Sequence, residues 1–260
     1  MEPMKKKTLQ KALIILFWLL LWQTAAWLFH NSIIFVGPLE MLSSLITQMG
    51  TSEFWRSLYH SMIRIMGGFG CAFLLAICTS GLSYRFPLLK MLLEPAVQLQ
   101  KSVPVASFVV LLLILIGSKN LSIAIVFLMA FPILYINMLE GLQHVDVQML
   151  EMAKIFRMHP WHQFLYIYRP AFLPFLISGS KIALGMSWKS GIAAEIIGVP
   201  SHSIGERLYM SKIYLSTDSL FAWTLVIIVV STSFEKIFLW LLKKAGGKTL
   251  EVSHENPKSL

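Results

Sequence analysis

Residues 151–170 read EMAKIFRMHPWHQFLYIYRP, and this charged and aromatic segment lies between two long apolar runs. Its polar side chains suit contact with water, whereas the flanking runs suit an apolar environment. The segment therefore predicts an interaction surface on an otherwise apolar chain.

The composition of the whole chain is that of a membrane protein. Of 260 residues, 56% are hydrophobic and only 13% charged, and the mean hydropathy is +0.68. These values lie outside the range of soluble globular domains. The net charge of +9 comes largely from lysines and arginines beside apolar runs, which indicates orientation in a bilayer rather than a nucleic-acid partner.

Six apolar runs approach the length needed to cross a bilayer. They are, approximately, residues 11–30, 58–83, 102–117, 121–140, 171–199 and 219–242. We therefore predict an all-α membrane protein with about six transmembrane helices in one domain, 11–245, between a terminus 1–10 and a tail 246–260. The first run resembles a signal peptide in its charged start, but its length and its Trp22 and Trp27 favour a retained span.

Basic residues recur at alternate connections between the runs. They cluster before the first run, after the second, in segment 141–170 and after the last, whereas the other connections carry few. The bias in lysine and arginine predicts that both termini and segment 141–170 are cytoplasmic.

Segment 141–170 has the local signals of two short helices. Asp146 is suited to cap a helix over 147–158, and Pro160 favours the first position of a new helix. A second piece over 161–168 is predicted to end before Pro170. From these signals alone, the segment is either a docking surface or an amphipathic helix lying on the membrane without a partner.

Several motifs resemble a known family. Glu151-Met152-Ala153, a turn near Arg157 and Pro170 together resemble the EAA loop of ABC importer permeases. Pro104 to Phe108 and Ser187 to Glu195 resemble permeases of the nitrate, sulfonate and taurine subfamily. The resemblance covers about residues 37–242. Two positions differ from the usual loop, since Arg157 replaces glycine and Arg169 replaces leucine.

The resemblance implies a type I ABC importer permease fold in the plasma (inner) membrane. It implies that two cytoplasmic ABC ATPase subunits, a second copy of the chain and an extracytoplasmic solute-binding protein are partners, and that the solute is a sulfonate-, taurine- or nitrate-like anion or a related small metabolite. The loop would be the coupling helix that contacts the ATPase. Its expected residues are Glu151, Met152, Ala153, Phe156, Arg157, His159 and Pro170.

The chain itself shows no site for nucleotide, metal or catalysis. Gly247-Lys248-Thr249 has Leu242 where a P-loop needs its first glycine, so ATP is expected to bind a partner. His159 and His162 have no further metal ligand nearby in the sequence. We therefore predict a transport subunit rather than an enzyme, with no bound cofactor.

Charged residues inside the predicted spans are functional candidates because they are costly in hydrocarbon. Arg64, Lys181 and Glu195 either extend to the membrane surface or form ion pairs between helices, or they have a functional role. Lys189 lies near the middle of its run, too far from either end to reach the surface easily, and would offer a cation to an anionic solute or to Glu195 of a neighbouring helix. With Ser187 and Ser190, Lys189 and Glu195 are the candidate translocation path. The alternative function is a gradient-driven carrier or channel without an ATPase, in which Lys189 and Glu195 would couple ions.

Overall fold

The computed structural model describes residues 2–29 and 35–246, and these ranges contain helices and connections but no strand. Met1 and the predicted tail from 247 onward lie outside the described residues. The helices are α1 (Glu2–Phe29), α2 (Pro38–Met49), α3 (Ser52–Arg85), α4 (Pro87–Ser102), α5 (Val105–Ile116), α6 (Leu121–Gln143), α7 (Val147–Ile155), α8 (Pro160–Gln163), a π-helical turn (Phe164–Tyr168), α9 (Arg169–Gly198), α10 (Ile204–Ile213) and α11 (Thr217–Gly246).

Four described helical segments are long and apolar enough to cross a membrane. They are Ser52–Arg85, Leu121–Gln143, Pro160–Gly198 and Thr217–Gly246. A fifth arises if α4 and α5, bent by 101°, form one broken span. In α1, the apolar helical stretch Leu13–Leu28 is shorter. The helical membrane class is thus confirmed, with four or five candidate spans.

The predicted third run, 102–117, is wrong as a single continuous span. The chain bends between α4 and α5, where Val103 is extended before Pro104. A residue before proline is pushed out of the helical region, and proline has no N–H to donate. The remaining helix, α5, has 12 residues and is about 18 Å long, which is shorter than the hydrocarbon core.

Two helices lie in connections for which the sequence analysis gave no helix. Pro38 is at the first turn of α2, where the Gly37 N–H donates to Glu40 Oε2 at 3.2 Å. In α10, the Glu206 N–H donates to Ser203 Oγ at 2.9 Å. Ser203 is thus the N-cap of α10, whereas the Glu206 carboxylate accepts from the His202 N–H, and the Ser-x-x-Glu spacing of this cap is visible in the sequence.

The chain divides into two compact units. The first comprises the described residues up to 61 together with 199–228, and its buried core contains Val36, Met41 and Ala222. The second comprises residues 62–198 and 229–246. Within the second unit, α6 is the central helix, and most of its side chains between Leu121 and Leu142 are buried.

Helices α6 and α9 pack antiparallel at glycine contacts in the second unit. A Cβ atom added at Gly179 would lie 2.7 Å from the Asn137 Cβ, and one at Gly141 would lie 2.9 Å from the Phe172 Cα. Such distances are shorter than real Cβ contacts, so the two backbones approach as closely as glycine allows. The connection between these helices is the segment 144–168, which includes α7.

We expect Gly179→Ala to lower the thermal midpoint of the detergent-solubilised protein by about 5 °C, because the added methyl group overpacks the contact with Asn137. The matched control is Gly185→Ala on the same helix, where an added Cβ meets no atom within 4 Å. The control is expected to raise the midpoint by about 2 °C, since alanine loses less backbone entropy in a helix. Equal shifts in the two variants would contradict a close α6–α9 contact.

Candidate functional site

The connection between α6 and α9, residues 144–168, starts with a capped helix. Asp146 Oδ1 accepts a hydrogen bond from the Gln148 N–H at 2.8 Å, which confirms the predicted cap. Helix α7 ends at Ile155, earlier than the predicted residue 158. No ion pair involves the exposed Glu151 or Lys154 in the part of the chain that the structure describes.

A tight turn ends α7. The Met158 N–H donates to the Ala153 carbonyl at 2.9 Å, and the Arg157 N–H donates to the Lys154 carbonyl at 3.1 Å. These two bonds form a Schellman motif, in which the residue after the cap adopts a left-handed conformation. That residue is Arg157, whose φ is +49°. The position at which related loops have glycine therefore does require positive φ.

We expect Arg157→Gly to stabilise the end of α7 by about 1 kcal/mol, because glycine adopts positive φ without the clash of a side chain. Amide hydrogen exchange of Phe156 to Met158 should slow about fivefold as local opening becomes rarer. Arg157→Ala is the control, since alanine also has a Cβ and should give no such slowing. Equal exchange rates in both variants would rule out strain at this residue.

The chain then enters α8 as predicted. Pro160 is the first residue of α8, and His159 Nδ1 accepts from the Trp161 N–H at 3.3 Å. The predicted end before Pro170 is wrong, because helical structure is continuous from Pro160 to Gly198. A π-helical turn precedes the proline, and the Arg169 N–H donates to the Phe164 carbonyl five residues back. The wider turn accommodates a residue that lacks an N–H and crowds the preceding turn.

Arg169 has a role that the sequence analysis missed. Its guanidinium group donates to the Ala245 carbonyl near the end of α11. A cation near the last carbonyls of a helix is favourable, since these groups have no partners within the helix. The arginine thus joins the beginning of α9 to the end of α11, and no local sequence signal predicts this contact.

One side of the segment is held by a small core. Val145, Ala153 and Ile167 are buried together, and Leu150 and Met158 pack against them. Ala153 is 1% exposed, so its side chain packs in this core and not on the surface of α7. In this conformation it does not offer a surface to a partner, in contrast to the expected contact role.

The opposite side exposes large apolar groups. Ile155 is 79% exposed, Phe156 75% and Trp161 63%. Met152 is also exposed, as are the polar side chains of Glu151, Arg157 and His159, whereas Pro170 is half-buried. We name the exposed residues Glu151, Met152, Ile155, Phe156 and Arg157 the α7 face. Apolar side chains rimmed by charges are typical of a protein interaction site.

The charged residues predicted inside the membrane have different surroundings. Arg64 on α3 and Glu195 on α9 form an ion pair with 3.8 Å between Nη1 and Oε1, and the Glu195 side chain is fully buried. The interpretation of these two residues as an interhelical pair therefore fits the structure. Lys181 and Lys189 are both exposed on α9.

The four candidate path residues do not share one surface. Ser187 Oγ donates to the Ala183 carbonyl at 2.7 Å, and Ser190 Oγ donates to the Met186 carbonyl at 2.8 Å. Both serines are buried, as is Glu195. Only Lys189 is on an exposed face, so the four residues do not form one exposed lining in the single chain, and their grouping as a translocation path stays a prediction.

No group of three or more histidine, cysteine, aspartate or glutamate side chains is close enough to hold a metal ion among the described residues. His159 and His162 are neighbours, with ring centroids 6.1 Å apart. Two imidazoles alone are fewer ligands than structural or catalytic zinc sites use.

Comparison with known proteins gives a match over most of the chain. Residues 68–246 match the profile of a family described as "Binding-protein-dependent transport system inner membrane component". The chain is 26% identical to the taurine transport system permease protein of Escherichia coli, over 84% of this chain and 81% of that protein. It is 30% identical to the bicarbonate transport system permease protein of a Synechocystis strain, over 63% and 61% of the two chains. A Bacillus subtilis permease protein named for aliphatic sulfonates transport is 28% identical over 67% and 62%.

Proposed function

Because this chain belongs to the family of inner membrane components of binding-protein-dependent transport systems, we propose that it is the permease subunit of an ATP-driven importer and that the α7 face docks on a separate ATPase. The observation that carries the proposal is the exposure of Ile155 and Phe156 beside the exposed charged side chains of Glu151 and Arg157. Large apolar groups at the centre of a charged rim are the usual anchors of a protein interface.

The packing of α6 and α9 supports a mechanism for coupling. The segment that carries the α7 face connects these two helices, which contact each other closely at Gly141 and Gly179. A force applied at α7 would therefore move α6 and α9 together as one body. Alternating access then follows when this body tilts relative to the rest of the membrane helices.

We propose six spans, with α1 as the first and the bent pair of α4 and α5 as the third. Both termini and the α7 face would lie in the cytoplasm, which agrees with the distribution of lysine and arginine.

One chain has a single α7 face, so two ATPase subunits would require two permease copies, and we propose a homodimer. A solute-binding protein would deliver the solute from the other side of the membrane.

The solute would be small and polar. The named relatives serve taurine, aliphatic sulfonates and bicarbonate, and we propose a solute of this kind. ATP would be bound and hydrolysed by the partner subunit, so this chain would act as a transport subunit and bind no cofactor itself.

The proposal is tested by mild extraction of the protein from its native membrane, affinity purification and identification of the proteins that accompany it. We expect a stoichiometric P-loop ATPase with the wild type and its loss with Glu151→Lys, because the reversed charge lies on the α7 face. Glu94→Lys, the same change at an exposed position of α4, is the control and should retain the ATPase. A lone permease in every sample would instead favour the gradient-driven carrier.

A further inference from the structure

The end of α11 carries a cluster of basic side chains. Lys243 and Lys244 lie in its last turn and are exposed. The guanidinium group of Arg169, at the start of α9, donates to the carbonyl of Ala245, which follows Lys244 in the chain. All three basic residues are therefore on the last turn of α11 or in contact with it. We name Arg169, Lys243 and Lys244 the basic cluster.

No carboxylate forms an ion pair with the basic cluster in the part of the chain that the structure describes. The ion pairs there join Arg64 to Glu195 and Arg207 to Glu53. The nearest acidic residue on α11 itself is Glu235, which precedes Lys243 by eight residues, or about 12 Å along the axis. The end of a helix carries roughly half an elementary negative charge, which offsets only part of three positive charges. The cluster thus has an excess of positive charge.

An exposed tryptophan lies beside the basic cluster. Trp240 is 58% exposed, and the Lys244 ammonium group is 5.1 Å from the centre of its ring. An α-helix turns by about 100° per residue, so Trp240, Lys243 and Lys244 lie within about a third of its circumference. The indole ring of tryptophan favours the boundary between the hydrocarbon and the lipid headgroups. Trp240 therefore indicates that this end of α11 is at a membrane surface.

The surface of α11 before the basic cluster suits contact with acyl chains. Only 6% of its most apolar part is buried, compared with 33% to 56% in the other three continuous candidate spans. Ile237 and Leu241, on either side of Trp240 in the chain, are 56% and 51% exposed. Along α11, exposed apolar side chains are thus followed by lysines, with the tryptophan between them. A bilayer presents acyl chains, interface and charged headgroups in the same order.

We propose that the basic cluster and Trp240 bind the headgroup of an anionic phospholipid. Arginine and lysine are strong hydrogen-bond donors to phosphate oxygens, and basic residues next to a span attract anionic lipids. The indole ring would pack against the part of the lipid where the acyl chains begin. In the proposed orientation, this lipid belongs to the inner leaflet.

A headgroup bound at this place would join two helices. Arg169 begins α9, whereas Lys243 and Lys244 end α11, so one phosphate group would contact both. Since α9 follows the segment that carries the α7 face, the lipid would hold the membrane end of that segment. The proposal does not depend on the ATPase assignment, because it requires only that the end of α11 lies at a membrane surface.

The test identifies the lipid near the end of α11 in nanodiscs. The parent protein carries Cys71→Ser and Cys78→Ser, which remove the exposed native thiols, and Leu241→Cys carries a fluorophore. Leu241 is exposed and precedes Lys244 by three residues. Quenching by spin-labelled phosphatidylglycerol, which is anionic, is compared with quenching by spin-labelled phosphatidylcholine, which has no net charge and the same acyl chains.

We expect the anionic lipid to be enriched about tenfold over the neutral one near the fluorophore, because each basic residue near the surface adds to the attraction. Lys243→Gln together with Lys244→Gln should lower the enrichment to about twofold. The control is Lys212→Gln, the same change at an exposed position of α10, and it should leave the enrichment unchanged. Equal quenching by the two lipids in the parent, or an enrichment that survives the double variant, would overturn the proposal.

A further measurement separates a bound lipid from a soluble anion. Inorganic phosphate, added at constant ionic strength in place of chloride, should not change the quenching by phosphatidylglycerol. Loss of the anionic preference in phosphate would show that the basic cluster binds free phosphate, and would overturn the lipid assignment. The size-exclusion profile of each variant checks that a change in quenching does not result from unfolding.

Discussion

Arg64→Met is expected to cause the largest loss of stability of any variant considered. The substitution leaves the fully buried carboxylate of Glu195 without the guanidinium group 3.8 Å away. Removing one partner of a buried ion pair costs about 3–5 kcal/mol, because the remaining charge is desolvated without compensation. We expect the thermal midpoint in detergent to fall by about 10 °C, measured by size-exclusion chromatography of heated samples.

Two further variants separate the ion pair from the general effect of removing an arginine. Arg56→Met changes an exposed arginine on the same helix and should leave the midpoint within about 2 °C of the wild type, as surface substitutions usually do. The double variant Arg64→Met/Glu195→Leu removes both charges, and we expect it to recover most of the lost stability. A double variant as unstable as Arg64→Met alone would show that the pair is not the cause.

Phe156→Ala is expected to weaken the binding of the ATPase strongly and to lower transport with it. Phe156 is 75% exposed, so the truncation should not disturb the permease fold. Aromatic anchors at the centre of an interface cost about 2 kcal/mol or more when truncated, which is about a thirtyfold weaker affinity. We expect this loss in the binding of the co-purifying ATPase to the permease in nanodiscs, measured by biolayer interferometry, with a parallel fall in ATP-dependent uptake.

The control for this prediction is Tyr59→Ala on α3. The Tyr59 side chain is also aromatic and is 62% exposed, but it does not belong to the α7 face. Its ATPase affinity should equal that of the wild type. If Phe156→Ala binds the ATPase as tightly as the control does, the α7 face is not the docking site. In that case the membrane-surface interpretation of the segment would be preferred.

Features that depend on a few neighbouring residues were predicted well. Asp146 caps α7 and Pro160 begins α8, because caps and prolines act on backbone groups within one turn. The resemblance of the loop also pointed to the special backbone at Arg157, since left-handed φ is a local property. The helix end at Ile155 and the π-helical turn before Pro170 were missed, because a residue with positive φ and a proline show where a helix is perturbed but not which hydrogen-bond pattern replaces the regular one.

The amino-acid sequence by itself determined that the chain is an apolar all-helical membrane protein, that it resembles binding-protein-dependent permeases, and which segment between its apolar runs is charged and aromatic. Composition, periodicity and short motifs carry this information, because each acts over a span or a turn. Only the tertiary structure decided that Glu195 pairs with Arg64, that Ser187 and Ser190 bond within their own helix, and that Lys189 stays exposed. Partners distant in sequence and the face that each helix buries depend on three-dimensional packing, which no local pattern specifies.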